Sequence, residues 1–230
     1  MPSGHFGIDT GLGREYSLRM GPLTDVLTKN YGVQMEIAGA AAMWTRPDTG
    51  SAAVSGPAPT FSASKGIFEA IARLKSAYIR PTRVELCKPI QFDRYVTNYG
   101  GPLRKANQVR GGDSYQLAAV ILVDVCYRIY GVVEEVTGPP SGTNHLHALQ
   151  EMFLRRLTKG QWFRCPCLGW KEFVPSYVGS FRSDTAVETS VDLVIPSMLH
   201  AVFDRPVGGK VSPTFRQNVA IRKGVLEYVV

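Results

Sequence analysis

The stretch NHLHALQEMFLRRLTKGQWFRCPCLGWKEF, Asn144 to Phe173, decides how this chain reads. Leu146, Leu149, Phe153 and Leu157 recur every three or four residues, the spacing of one buried helical face. His147, Glu151, Arg155 and Lys159 recur every fourth position and form a wetted stripe on the same helix. Thr143 or Asn144 supplies the cap. Beyond the helix a strand and then a glycine turn are expected. His145 and His147 beside Arg155 and Arg156 suit an anion that must be held and supplied with a proton, and RNA is such an anion.

Upstream, YGVQMEIAG (Tyr31 to Gly39) alternates as a half-buried strand should. The Gly-, Pro- and Ser-rich residues after it read as a long surface loop. Ser62 to Tyr78 is predicted as a helix, capped by Ser62 or Ser64, with Ile67, Ala70, Ile71 and Leu74 inward and Pro81 just past its end. A second strand starts at Arg83, and KPIQF extends or interrupts it. Tyr95 to Gly112 reads as a Gly-rich basic loop, with Arg94, Arg104, Lys105 and Arg110 interleaved by Tyr95 and Tyr99. Such a loop either clamps phosphates and stacks bases or is a solvated hairpin tip. Tyr115 to Val136 is mostly strand, with a bulge at Gly131 and a buried apolar run from Leu117 to Val123. From Phe163 the chain is broken by prolines and reads as short antiparallel strands, including VDLVI and VLEYVV.

This order predicts an α+β protein. Residues 1–30 form an extension, 31–160 a ferredoxin-like (RRM-like) domain, and 161–230 a small antiparallel β-rich part.

The chain has 230 residues, 44% of them hydrophobic, and no run near the roughly 20 apolar residues that span a bilayer. The N-terminus lacks the apolar core of a signal peptide, so the expected compartment is the cytoplasm and Cys87, Cys126, Cys165 and Cys167 are expected to be free. The formal net charge of +7 marks either a partner of nucleic acid or a merely soluble basic protein.

His145-x-His147 and Cys165-x-Cys167 are spaced too closely for a usual zinc site, so no metal and no cofactor are expected. No G-x-S-x-G, H-E-x-x-H or phosphate-binding P-loop occurs, and the acidic residues form no paired motif for two-metal chemistry. Metal-free acid–base cleavage of RNA remains, in which a base deprotonates the 2′-hydroxyl and a cation steadies the phosphate. His145, with Arg155, Lys159 and Arg164, provides parts of this; alternatively His145 only caps or packs.

PTFSASKGIFEAI, VELCKPIQF, LVDVCYRI and the Asn144–Phe173 stretch together resemble the type I-C CRISPR-associated Cas-five family, from about Tyr31 to Tyr177. The specific parts are FLRRLTKGQ and PCLGWKEF, and MEIAGAAAMWTRP resembles the family's opening strand, which brings Arg46 among the RNA-binding candidates. The resemblance implies a subunit of the Cascade surveillance complex that holds the 5′ handle of CRISPR RNA beside backbone and large subunits, meeting target DNA only through them. It also implies metal-independent cutting of the repeat hairpins in precursor RNA. The family's Lys-His pair falls on Asn144-His145, and its tyrosine on Phe61, so the cation and the phenol are both replaced. His147, Lys65 or a tyrosine of the Tyr95–Tyr99 loop are the substitutes at hand. The alternatives are a Cascade subunit that does not cut, or an unrelated basic enzyme or zinc protein.

Overall fold

In the computed structural model of the chain, the described residues are 31–50, 52–99, 105–113, 115–137 and 144–228. The expected N-terminal extension, Arg104 and Thr143 lie outside them. The alternating stretch after Tyr31 forms β1 (Gly32–Ala42), longer than its sequence pattern because Gly39 and the following alanines leave room for neighbours. The loop after it contains a two-residue strand, β2 (Ala53–Val54). Helix α1 (Phe61–Ile71) follows, then β3 (Ala77–Leu86), β4 (Phe92–Tyr99), the short α2 (Ala106–Gly111) and β5 (Tyr115–Glu135). Helix α3 (His145–Lys159) leads to β6 (Tyr177–Gly179), β7 (Leu193–Phe203), β8 (Val211–Arg222) and β9 (Val225–Glu227).

One nine-stranded sheet runs β6-β1-β5-β3-β9-β8-β7, with β2 and β4 also paired to β5. Along β5, residues 115–122 pair with β4, 122–132 with β1 and 127–135 with β3, all antiparallel. Helices α1 and α3 both contact β3 and each other. The T-shaped pair Phe68–Phe153, with ring centroids 5.5 Å apart, locks them together. Ile67, Ile71, Leu149, Phe153 and Leu157 are buried as expected, whereas Leu74 and Ala70 are half-buried.

Several sequence expectations change. Helix α1 ends at Ile71, not near Tyr78, and its cap is Thr60, whose hydroxyl accepts from the Ala63 N–H at 3.1 Å. Pro81 does not stop the helix; it sits inside β3. There Pro81 faces Gly131 and Arg83 faces Tyr130, so Thr82 is an extra residue. The bulge foreseen at Gly131 therefore lies opposite it, on β3. Gly131 itself is needed for room, since a Cβ there would come within 2.9 Å of the Phe68 ring. KPIQF interrupts the strand: Lys88 to Gln91 separate β3 from β4, and Phe92 opens β4. The basic loop over Tyr95–Gly112 is in fact the end of β4 followed by α2. No strand follows α3 directly, because Gln161–Phe173 turns back on the body instead. Leu117 is exposed, since the outer end of β5 has only β4 beside it. Pro196 and Pro213 lie within β7 and β8, longer strands than expected, where little backbone pairing is lost at a sheet edge.

A buried charge fastens the chain beyond α3 to this sheet. Glu36 on β1 is fully buried and accepts from Arg182 Nε at 2.6 Å, the Arg182 N–H at 3.1 Å and the Thr185 hydroxyl at 2.7 Å. Arg128 on β5 adds a longer ion pair and donates to the Thr185 carbonyl at 2.6 Å. Burial alone would push the Glu36 carboxyl up, but the hydrogen bonds from Thr185 and Arg182 outweigh it and hold it below the usual value. The Glu36 contribution to stability is thus present above the unfolded-state carboxylate pKa of about 4.3 and is lost as pH falls through the lower folded value. Arg182→Met should cost about 3 kcal/mol in denaturant unfolding at pH 7, and the gap to the native protein should shrink below about pH 4. Phe153→Ala, which empties the helix–helix contact, should cost about 3–5 kcal/mol in the same measurement.

Candidate nucleic-acid interface

The cap of α3 is Asn144, whose side chain accepts from the His147 N–H at 3.1 Å and donates to the Tyr31 hydroxyl at 2.7 Å. His147 is exposed, its ring centroid 6.4 Å from that of Tyr31. His145 turns inward, only 6% exposed, and its Nε2 is buried without a hydrogen-bond partner. Arg155 and Lys159 are exposed and take part in none of the ion pairs among the described residues. Arg156 points back to the body of the protein, where it donates to the Ile71 carbonyl at 2.9 Å and closes the end of α1.

The segment after α3 continues that stitch. The Phe163 and Arg164 N–H groups donate to the Ile71 and Ala70 carbonyls at 3.3 and 2.9 Å. The chain then turns under Trp44, where the Met43 N–H donates to the Leu168 carbonyl at 2.9 Å and Leu168 is fully buried. Gly169 stands at φ +92°, and a Cβ there would lie 1.8 Å from the Met43 carbonyl oxygen. No other residue fits this corner of PCLGWKEF.

Between α1 and this turn lies a cavity of about 680 Å³. Arg73, Arg164 and Lys171 line it, all exposed and none in an ion pair among the described residues. Glu69, also in the wall, is neutralised by Lys65 at 2.6 Å. Phe163 is 48% exposed beside them, with the Arg164 guanidinium 5.4 Å from its ring centre. Unpaired cations around an exposed ring can hold phosphates and stack a base.

The other predicted site residues scatter. Arg46 is spent on Asp48, at 2.9 and 2.6 Å. Lys65 pairs with Glu69 and lies over the Tyr78 ring. Lys105 and Arg110 are exposed at the two ends of α2. Phe61, at the start of α1, stacks on His200 with centroids 4.3 Å apart and meets Tyr228 edge-on at 5.6 Å. Phe61 and the Asn144–His145 pair thus stand against different elements, β7 and the residue before β1. His145 opens α3 and Cys165 and Cys167 lie in the turn beyond it, and among the described residues no three of His, Cys, Asp and Glu stand close enough together to hold a metal ion. Sequence reasoning missed Arg73, Lys171 and His200. Nothing local marks the first two, since only the fold brings them beside Arg164; His200 lies in the proline-broken tail, whose pattern marks strands but no site.

The fold is shared with solved structures. A CRISPR-associated protein superposes with a TM-score of 0.62 at 18% identity, covering 86% of this chain and 92% of that one. A functionally uncharacterized protein from Streptococcus mutans gives 0.60 at 18%, over the same shares. The family model described as CRISPR-associated protein (Cas_Cas5), in its Cas5d form, matches residues 32–208, and the chain belongs to this family. The CRISPR pre-crRNA endoribonuclease Cas5d of Mannheimia succiniciproducens is 28% identical over 194 residues, 76% of this chain and 81% of its own. Its counterpart from Thermus thermophilus is 30% identical over 146 residues, 63% of this chain and 62% of its own.

Gly169→Ala should destabilise the protein by more than about 1 kcal/mol, because the left-handed backbone and the Met43 contact both reject a side chain. Near-ultraviolet circular dichroism of Trp44 and Trp170 should report the displaced turn.

Proposed function

We propose that this protein is a CRISPR RNA-binding subunit of a type I-C-like Cascade complex. It holds the 5′ handle and cuts precursor RNA at the repeat hairpin without a metal. The observation that carries RNA binding is the cavity between α1 and the Gln161–Phe173 turn, where three cations outside any ion pair line the same cavity as the exposed Phe163 ring. The names of the two relatives, both pre-crRNA endoribonucleases, support the cutting activity. The strand order β6-β1-β5-β3, with α1 and α3 packed together, supports a ferredoxin-like unit over 31–160 completed by β6 from the C-terminal part. No helix among the described residues is long and apolar enough to cross a membrane, which accords with a cytoplasmic complex containing backbone and large subunits.

In the cutting step His145 transfers the proton, with Asn144 and Phe61 at the positions matched to the family's lysine and tyrosine. Its burial favours a second reading, a subunit that captures the handle and does not cut. Incubation with the protein's own repeat RNA in EDTA decides between them. Cutting should leave a 2′,3′-cyclic phosphate, and His145→Ala should slow it about 10² to 10⁴-fold. Asn144→Lys should speed it by adding charge beside the phosphate. No cutting, even with Asn144→Lys and Phe61→Tyr combined, leaves handle capture alone.

For binding, Arg73→Gln, Arg164→Gln and Lys171→Gln should each lower the slope of log affinity against log salt by about 0.7, the value per single-strand phosphate contact. Handle RNA bound with unchanged salt dependence by the triple variant would move the groove elsewhere.

A further inference from the structure

The hairpin of β7 and β8 carries a second feature that the cavity beside α1 does not explain. Leu199 pairs with Phe215 and Ala201 with Thr214, so His200 is an extra residue on β7, a bulge. Bulges re-aim a side chain and recur beside binding sites. Here the bulge lays the imidazole on Phe61, with 27° between the rings. Among the described residues no hydrogen bond reaches either ring nitrogen; only burial and the Arg216 charge act on its protonation. On one side opens a cavity of about 320 Å³, on the other one of about 700 Å³, and His200 and Phe61 line both.

The charged groups around His200 are mostly cationic. Lys65 faces it from α1, Arg80 and Tyr78 from β3, Asp204 and Arg205 from the turn after β7, Arg216 and Arg222 from β8, and Glu227 from β9 with Tyr228 after it. Lys65 and Arg80 are neutralised by Glu69 and Glu134, and Asp204 is engaged by the Lys210 N–H at 2.7 Å. Arg205, Arg216 and Arg222 are exposed and outside the ion pairs of the described residues. All of Val211–Asn218 is exposed, so the strand is open to a ligand.

We propose that His200, Phe61 and Arg216 form a second single-stranded RNA site, in which a phosphate bridges the imidazole and the guanidinium. The site rests on the RNA-binding function proposed above and extends it to the β7–β8 face. Because no protein group occupies the imidazole nitrogens, a phosphate oxygen can take a hydrogen bond from the protonated ring. Burial, and then the Arg216 charge, hold the free imidazole below its usual pKa. A bound phosphate favours the imidazolium and raises that pKa, so binding takes up a proton. Affinity should rise as pH falls through the bound-state value and level off below the free-state value.

The test is fluorescence anisotropy of labelled handle RNA with the full chain at fixed ionic strength between pH 5.5 and 8. The native protein should tighten about tenfold toward the acid end, one pKa unit of linkage. His200→Gln should flatten this rise. Because Gln cannot stack on Phe61 as imidazole does, Arg216→Gln, exposed on β8, provides a second arm. It should weaken binding and lower the salt slope by about 0.7. A pH rise that survives in His200→Gln, or an Arg216→Gln protein with native affinity and salt slope, overturns the site. So does a result in which both variants bind RNA normally but fail to join purified protein subunits, which would make this face a protein dock. If the native chain binds no handle RNA, the function proposed above falls too; if it binds through Arg73, Arg164 and Lys171 while His200→Gln changes nothing, only the second site falls.

Discussion

Backbone pairing along β5 holds four other strands in place. Its outer residues serve β4 and β2, and its inner residues serve β1 on one side and β3 on the other. The change of partner falls at Asp124, a non-glycine residue at φ +48°. Asp124 is exposed and its side chain meets Lys88 at 3.1 Å, so the local backbone cost is borne at the surface and not in the core. Everything that forms the cavity beside α1 hangs from this strand. Phe68 packs against Gly131 of β5, Phe153 packs against Phe68, and the turn that follows α3 closes onto the end of β1.

The parts legible in the sequence are those governed by local periodicity. Leu149, Phe153 and Leu157 reveal their helix because one face of α3 is fully buried. β1 and β5 are legible because burial alternates or is continuous along them. The end of α1 is not legible, since ARLKS contains good helix formers and no glycine. What ends the helix is distant: Arg156, Phe163 and Arg164 occupy the last carbonyls, and the Ala72 N–H closes on Phe68. Residues 95–99 read as loop because β4 is mostly exposed and so lacks an alternating pattern. At the interface the clustered charges near α3 are visible. Arg73 and Lys171 are not, because nearly a hundred residues separate two side chains that share one cavity.

The formal charge of +7 divides into kinds that composition merges. Arg128 and Arg182 are committed to Glu36, and Arg46, Lys65, Arg80 and Lys88 to exposed or half-buried carboxylates. Those pairs fasten segments and offer little to a polyanion. Of the cations left over, one group gathers around Phe163 and another along β8 with the turn before it, while Arg155 and Lys159 stand on the exposed face of α3 and Lys105 and Arg110 on α2. A net charge predicts a polyanionic partner, but only the unpaired remainder says where it lies.

The closure of α1 by groups from beyond α3 also bears on how the chain matures during synthesis. Arg156 reaches the Ile71 carbonyl across 85 residues of sequence. At about 5–20 residues per second on the ribosome, the arginine is made roughly 4–17 s after the helix it completes. Until then the last turn of α1 must leave its carbonyls to water, and the basic cavity has no second wall. The cavity proposed to hold RNA therefore forms only once the turn after α3 is made, so a nascent chain stalled before α3 carries β1 to β5 but not the groove.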